Sequence, residues 1–170
     1  AKSRKEITLH KTYGVSIESK RKTHVFSSHH FLIHKLNFEK NKFDEKIKSY
    51  GYEDVLFQIK SKLKFKHIHN PLYHTGVKNT SDFIKDCESG LKNISQYTND
   101  KDVIDKIKIL RYWEIMSSIY LDRLIVILLK LFKRVIIKNL HSSNPSLYLF
   151  QFYKLAFFCQ LNIDSMKKRD

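Results

Sequence analysis

Glycine, proline and alanine are scarce in this chain, at four, two and two residues out of 170. Few turn-formers mean few turns, which argues against a many-stranded sandwich or barrel and favours a handful of long helices. Scarce glycine leaves no phosphate-cradling loop, and no serine or cysteine sits in a nucleophile elbow. The two cysteines, Cys87 and Cys159, allow one bridge if the protein is secreted. In a reducing compartment they are small buried hydrophobes. Long uncharged apolar runs are missing too. The most apolar stretch before the chain's end is YLDRLIVILLKLFKRVIIKNL, at 120–140, and its longest uncharged run is the six residues 124–129. A membrane span needs about 20.

That stretch sorts into two faces on a helical wheel at about 100° per residue. Leu121, Leu124, Ile125, Leu128, Leu129, Leu131, Phe132, Val135 and Ile136 share one broad arc. Arg123, Lys130, Arg134 and Lys138 lie opposite, with Asp122 and Lys133 at the arc's edge. The pattern predicts an amphipathic core helix with Leu124, Leu128, Phe132 and Val135 buried and Arg123, Lys130 and Arg134 exposed.

What the chain does have is charge and apolar mass. At 42% hydrophobic it can bury a real core as one domain. The formal charge of +15, with a pI near 9.7, allows attraction to nucleic acid or to an anionic membrane. It is uneven: residues 1–24 carry +5, from seven cations and two anions, while 78–114 balance at seven of each. Lysine, isoleucine, phenylalanine and tyrosine are plentiful, the mark of AT-rich coding, which weakens a functional reading of the lysines. The chain begins at Ala1 without an initiator methionine, which suggests a cut or a removed leader.

The periodicity predicts an all-α fold, a four-helix up-and-down bundle over 28–170 behind a basic N-terminal arm at 1–27. The first helix spans 28–66, from a cap at Ser27 or Ser28, with a kink at Gly51. HNPLYHTG at 69–76 is a loop. Asn79 or Thr80 caps the second helix, whose seam is Ile84, Cys87, Leu91 and Ile94. The third runs over 100–140. The fourth starts at Pro145 and is apolar nearly all round, hence sandwiched in the bundle or docked on a partner. Cys87 and Cys159 fall on core faces of neighbouring helices.

No catalytic, cofactor-binding or metal site stands out. His30 and His34 have the spacing of two ligands on one helix face but no third donor at a matching interval. His67, His69 and His74 cluster around the loop. The acid pairs Asp44–Glu45 and Glu53–Asp54 point apart on a helix and read as solvated faces. Lys60, Lys62, Lys64 and Lys66 with Phe65 form a basic run able to hold a phosphate backbone, without a recognised nucleic-acid motif. The anomaly is Glu114 with Ser117 and Ser118, polar groups on the apolar arc beside Leu110, Trp113 and Leu121. They read as register control or as the switch of an under-stabilised bundle. Its opening would present Leu121, Leu124, Leu128, Phe132 and Val135 to a membrane or partner.

The lysine-, isoleucine- and phenylalanine-rich, alanine-poor style resembles that of malaria parasites. A small, basic, helical chain without catalytic motifs resembles the sporozoite cell-traversal proteins of the SPECT type. The resemblance implies a secreted, non-enzymatic four-helix bundle used in host-cell interaction, membrane association or cell traversal. Its expected partner is a host membrane or a host or parasite protein, with no small-molecule substrate and no cofactor. The other expectation is an intracellular basic subunit bound to RNA or held in a large assembly.

Overall fold

A computed structural model describes residues 7–19, 26–68 and 76–167. These residues form eight α-helices and no strand. Helix α1 (Thr8–Tyr13) runs into a π-helical turn (Gly14–Glu18). Then come α2 (Lys35–Lys40), α3 (Glu53–Ser61) and α4 (Thr80–Ile94), which ends in a 3₁₀ turn (Ser95–Tyr97). Helices α5 (Lys101–Lys106), α6 (Lys108–Ser118), α7 (Leu121–Leu140) and α8 (Leu147–Met166) complete the chain.

Helix α8 is the hub, packed on α4, α6 and α7. Its sequence is apolar on nearly every side, and the fold covers most of those sides. Phe150, Ala156, Phe158 and Cys159 are completely buried. Two clusters meet along it. One joins Leu56, Leu91, Ile94, Val103, Leu110 and Trp113 to Phe158. The other joins Leu9, Phe83, Leu129, Ile136 and Leu140 to Phe150. Each such side chain taken fully out of water contributes about 1.5–3 kcal/mol. The starts of three helices follow from capping chemistry. Asn79 accepts from the Asp82 amide at 2.8 Å, Asp100 from Val103 at 3.2 Å and Ser146 from Leu149 at 3.4 Å. Each satisfies an amide that the helix leaves unpaired.

The expected arm behaves differently. Residues 7–19 belong to the body: Leu9 is wholly buried, and the His10 ring stacks on Phe83 with centroids 4.4 Å apart. Leu9 and Tyr13 lie four apart, so one short helix turns both inward. Phe26 of the arm is buried too, and residues 1–6 and 20–25 lie outside the described residues.

The expected helix over 28–66 is instead α2, α3 and irregular chain between them. Phenylalanines hold this region: Phe57 on α3 meets Phe43 at 4.5 Å and Phe26 at 5.1 Å, and Phe26 meets Phe65 at 4.8 Å. Gly51 (φ 114°) and Tyr52 (φ 69°) form a turn that no helix can contain. Asn93 fixes that turn from inside. Its amide donates to the Ser49 and Gly51 carbonyls, both at 2.9 Å, and its carbonyl accepts from Ser49 Oγ at 2.8 Å.

The expected helix over 100–140 is α5, α6 and α7. The chain breaks at Ile107, which is extended, and at Tyr120, which is left-handed with φ 60°. The four longest helices, α4, α6, α7 and α8, therefore gather around α8 within a more broken chain than an up-and-down bundle.

Candidate functional site

Helix α7 carries three faces. The buried one is Asp122, Val126, Leu129, Ile136 and Leu140, against α8 and α6. Asp122 sits at the helix start, where an acid suits the dipole, and its Oδ1 accepts from the Arg123 amide at 2.9 Å. The second face is apolar and open. Leu131, Val135, Ile127, Phe132 and Leu124 are 70%, 64%, 53%, 53% and 49% exposed. The third is cationic: Arg123, Lys130, Arg134 and Lys138 are exposed beside the open apolar arc.

The expected burial of Leu124, Phe132 and Val135 is therefore corrected; Leu128 is half-buried, and Leu121 is 39% exposed. The wheel was right about the cations and wrong about the core by about a quarter turn. The cause is coverage. Helix α8 reaches one flank of α7, and the other flank carries no covering helix among the described residues. The apolar strip continues across the break at Tyr120, since Ile115, Ile119 and Tyr120 are also exposed.

Toward its C-terminal half, α7 lines a shallow groove of about 600 Å³ with Lys130, Lys133, Arg134, Ile137, Lys138 and His141. These residues recur at intervals of three and four, which turns them to one side of the helix. No carboxylate pairs with Lys130, Lys133, Arg134 or Lys138 among the described residues. Elsewhere cations do find acids: Lys60 with Asp44 at 2.7 Å, Lys62 with Asp102 at 3.7 Å and Lys101 with Glu114 at 2.8 Å.

That last pair corrects the polar-switch expectation. Glu114 is 42% exposed in its side chain and paired. Ser117 gives its carbonyl to the Tyr120 amide at 3.1 Å, and Ser118 Oγ donates to the Ile115 carbonyl at 2.8 Å. The three polar residues mark a helix end, where solvent reaches them. Glu114→Leu should change stability by less than about 1 kcal/mol, the scale of an exposed ion pair, and leave the melting temperature nearly where it was at neutral pH. The apolar face needs no opening to be presented.

The remaining titratable clusters are structural. Asp44 accepts from Lys60 Nζ at 2.7 Å, from the Tyr97 hydroxyl at 2.6 Å and from the Lys46 amide at 3.0 Å. Lys60 above all, then Tyr97, holds the Asp44 carboxyl well below the usual carboxylate range. A lowered folded-state value stabilises the fold above the usual carboxylate range and loses that contribution as pH falls toward the lowered value. Tyr153 donates its hydroxyl to Glu88, and burial, then that carboxylate, pushes its pKa up. Lys154 is buried with its ammonium 4.9 Å from the Tyr13 ring centroid and 5.0 Å from that of Phe150. Sequence reasoning missed it because a lysine in an apolar run reads as an interruption.

Cys87 and Cys159 are free, although α4 and α8 do pack together as expected. Each belongs to a different cluster, and the bridge that the sequence left open does not join them. Burial pushes the Cys159 thiol up to about 12 and the Cys87 thiol up to about 11. Both are protonated at neutral pH and poor nucleophiles. His29, His30, His34 and His67 are exposed. His69 and His74 lie outside the described residues. Among the described residues no group of three His, Cys, Asp or Glu is placed to hold a metal. No described helix is long and apolar enough to cross a membrane.

Comparison with protein-family models, curated proteins and solved structures finds no match for this chain.

Proposed function

We propose that this is a non-enzymatic helical protein that docks on anionic membrane surfaces through α7. The observation that carries the reading is the exposed apolar arc of Ile127, Leu131 and Val135 with an unpaired cationic row along its flank. An amphipathic helix with this distribution lies in the plane of a bilayer interface, its apolar side chains in the acyl boundary and its cations among acidic headgroups. A second copy of the chain suits the arc poorly, because pairing α7 with α7 brings cationic row near cationic row. A secreted setting and a part in host-cell traversal are carried over from the resemblance to SPECT-type proteins.

The competing RNA reading leans on the Lys60–Lys66 run. Phe65 packs against Phe26, and Lys60 and Lys62 are already paired. The aromatic is thus not offered to a base, and two of the four cations are engaged. The deciding experiment is binding to phosphatidylserine-containing and purely phosphatidylcholine vesicles, with RNA at matched salt as the third arm. Strong binding to the acidic vesicles, little to the neutral ones and weak binding to RNA is the expected result. Binding to RNA alone overturns the proposal.

A further inference from the structure

We infer that the groove on the C-terminal half of α7 is a site for a ligand bearing several phosphates on one small ring, met at the membrane as a polyphosphorylated inositol headgroup. The inference rests on the membrane reading and names the partner at the same face. Lys130, Lys133, Arg134 and Lys138 converge on this groove with Ile137 among them. Neighbours three and four apart on a helix stand about 5–6 Å apart at Cβ, so the four cations share one short strip of α7, about 12 Å long from Lys130 to Lys138. Crowded, unpaired cations repel one another. A headgroup with a single negative charge relieves little of that repulsion. A ring carrying several phosphates meets several cations at once, and an arginine among the lysines supplies a planar fork for phosphate oxygens.

The position of the groove fits a lipid-borne source. Arg134 and Lys138 border the arc that holds Leu131 and Val135. A headgroup seated there leaves its acyl chains beside those side chains. A nucleic acid offers phosphates but no apolar phase, and the groove presents no Phe, Tyr or Trp ring for a base to stack on, only the His141 imidazole at its end. The charge balance of the helix points the same way. Helix α7 holds five cations and one acid, and that acid, Asp122, is buried at the far end. The α7 carbonyl end disfavours anions by the equivalent of about half a charge, which four cations outweigh.

The test uses phosphatidylcholine vesicles containing either phosphatidylinositol bisphosphate or phosphatidylserine, matched in total negative charge. The wild type should bind the phosphoinositide vesicles about tenfold more tightly. Replacing Lys133, Arg134 and Lys138 together by glutamine should lower that affinity by about a hundredfold, at roughly fivefold per charge near an acidic surface. It should also erase the preference over phosphatidylserine. Lys133→Arg should keep the preference, which separates loss of charge from loss of fold. Soluble inositol hexakisphosphate separates the two sources. Competition with vesicles, together with tighter binding to vesicles than to the free compound, supports the lipid. Binding to the free compound with no vesicle binding removes the membrane reading and leaves the polyphosphate site standing. Equal affinity for the two acidic vesicles with no binding of inositol hexakisphosphate overturns the site and leaves the membrane reading intact. RNA competing as well as inositol hexakisphosphate at equal charge overturns it too, as a general polyanion surface.

Discussion

Replacing Leu131 and Val135 together by aspartate should abolish binding to acidic vesicles while the protein stays folded. The two side chains are 70% and 64% exposed, so the folded chain gains little from them. Surface substitutions usually fall within about 0.5 kcal/mol, and aspartate's weaker helix propensity adds roughly 0.5 kcal/mol at each position. The membrane-bound state is affected far more. Burying a leucine or a valine is worth about 1.5–3 kcal/mol. Two such losses, with two new charges facing acidic lipid, amount to about 4 kcal/mol or more, near a thousandfold in affinity. Vesicle sedimentation and a melting curve on the same sample measure both quantities.

The neutral version, Leu131→Asn with Val135→Asn, leaves the net charge alone and removes the apolar term. It should still cost about a hundredfold or more, because the lost transfer energy remains. If the asparagine pair binds as well as wild type, attraction is purely electrostatic and the apolar arc plays no part. If the aspartate pair fails to fold, the arc is covered in solution by something other than lipid, and the docking reading falls.

Helix α7 also shows what a sequence conveys and what it withholds. That 121–140 is helical, that Arg123, Lys130 and Arg134 face water, and that the segment is no membrane span were all legible from period and charge. Which apolar flank is buried was not. The helix has apolar side chains around more than half its girth, and the wheel's mean direction falls between the covered and the open flank. Val126 and Leu140 lie in the covered one because α8 is there, a fact set by chain path alone. Asp122, at the wheel's edge, is buried, and the helix N-terminus stabilises its charge there. The cap at Asn79 and the apolar girth of α8 were readable because each rests on local chemistry or on sheer apolar content, whereas Asp100, which reads as a first-turn acid, is itself the cap of α5. The breaks at Ile107 and Tyr120 were not, since neither glycine nor proline marks them. The phenylalanine cluster around Phe57 joins residues far apart in sequence, which no local pattern displays.

Gly51 supplies the second large effect. As a helix-interior glycine its replacement by alanine would stabilise the protein by up to about 1 kcal/mol. The structure reverses the sign. Gly51 has φ +114°, a region costly for any side chain, and an added Cβ would lie 2.7 Å from the Gly90 Cα on α4. That contact is backbone, so no rotamer change relieves it. The strained dihedral costs about 1–3 kcal/mol, and forcing the turn away from α4 costs a similar amount as overpacking. The shift must also lengthen the Asn93 hydrogen bonds to Ser49 and Gly51, because Gly90 and Asn93 are one turn apart on the same helix face. Gly51→Ala should therefore destabilise by about 3 kcal/mol or more, lowering the melting temperature by roughly 10 °C at the scale usual for a chain this long. Gly14→Ala is the matched control. Gly14 is helical (φ −56°), and its added Cβ meets nothing nearer than the Glu18 carboxylate at 3.8 Å. The same chemical change there should leave the melting temperature level or raise it slightly. If both variants melt alike, the close approach of the 49–52 turn to α4 is absent in solution, and the chain between α2 and α3 is held by the Phe43 and Asp44 contacts without it.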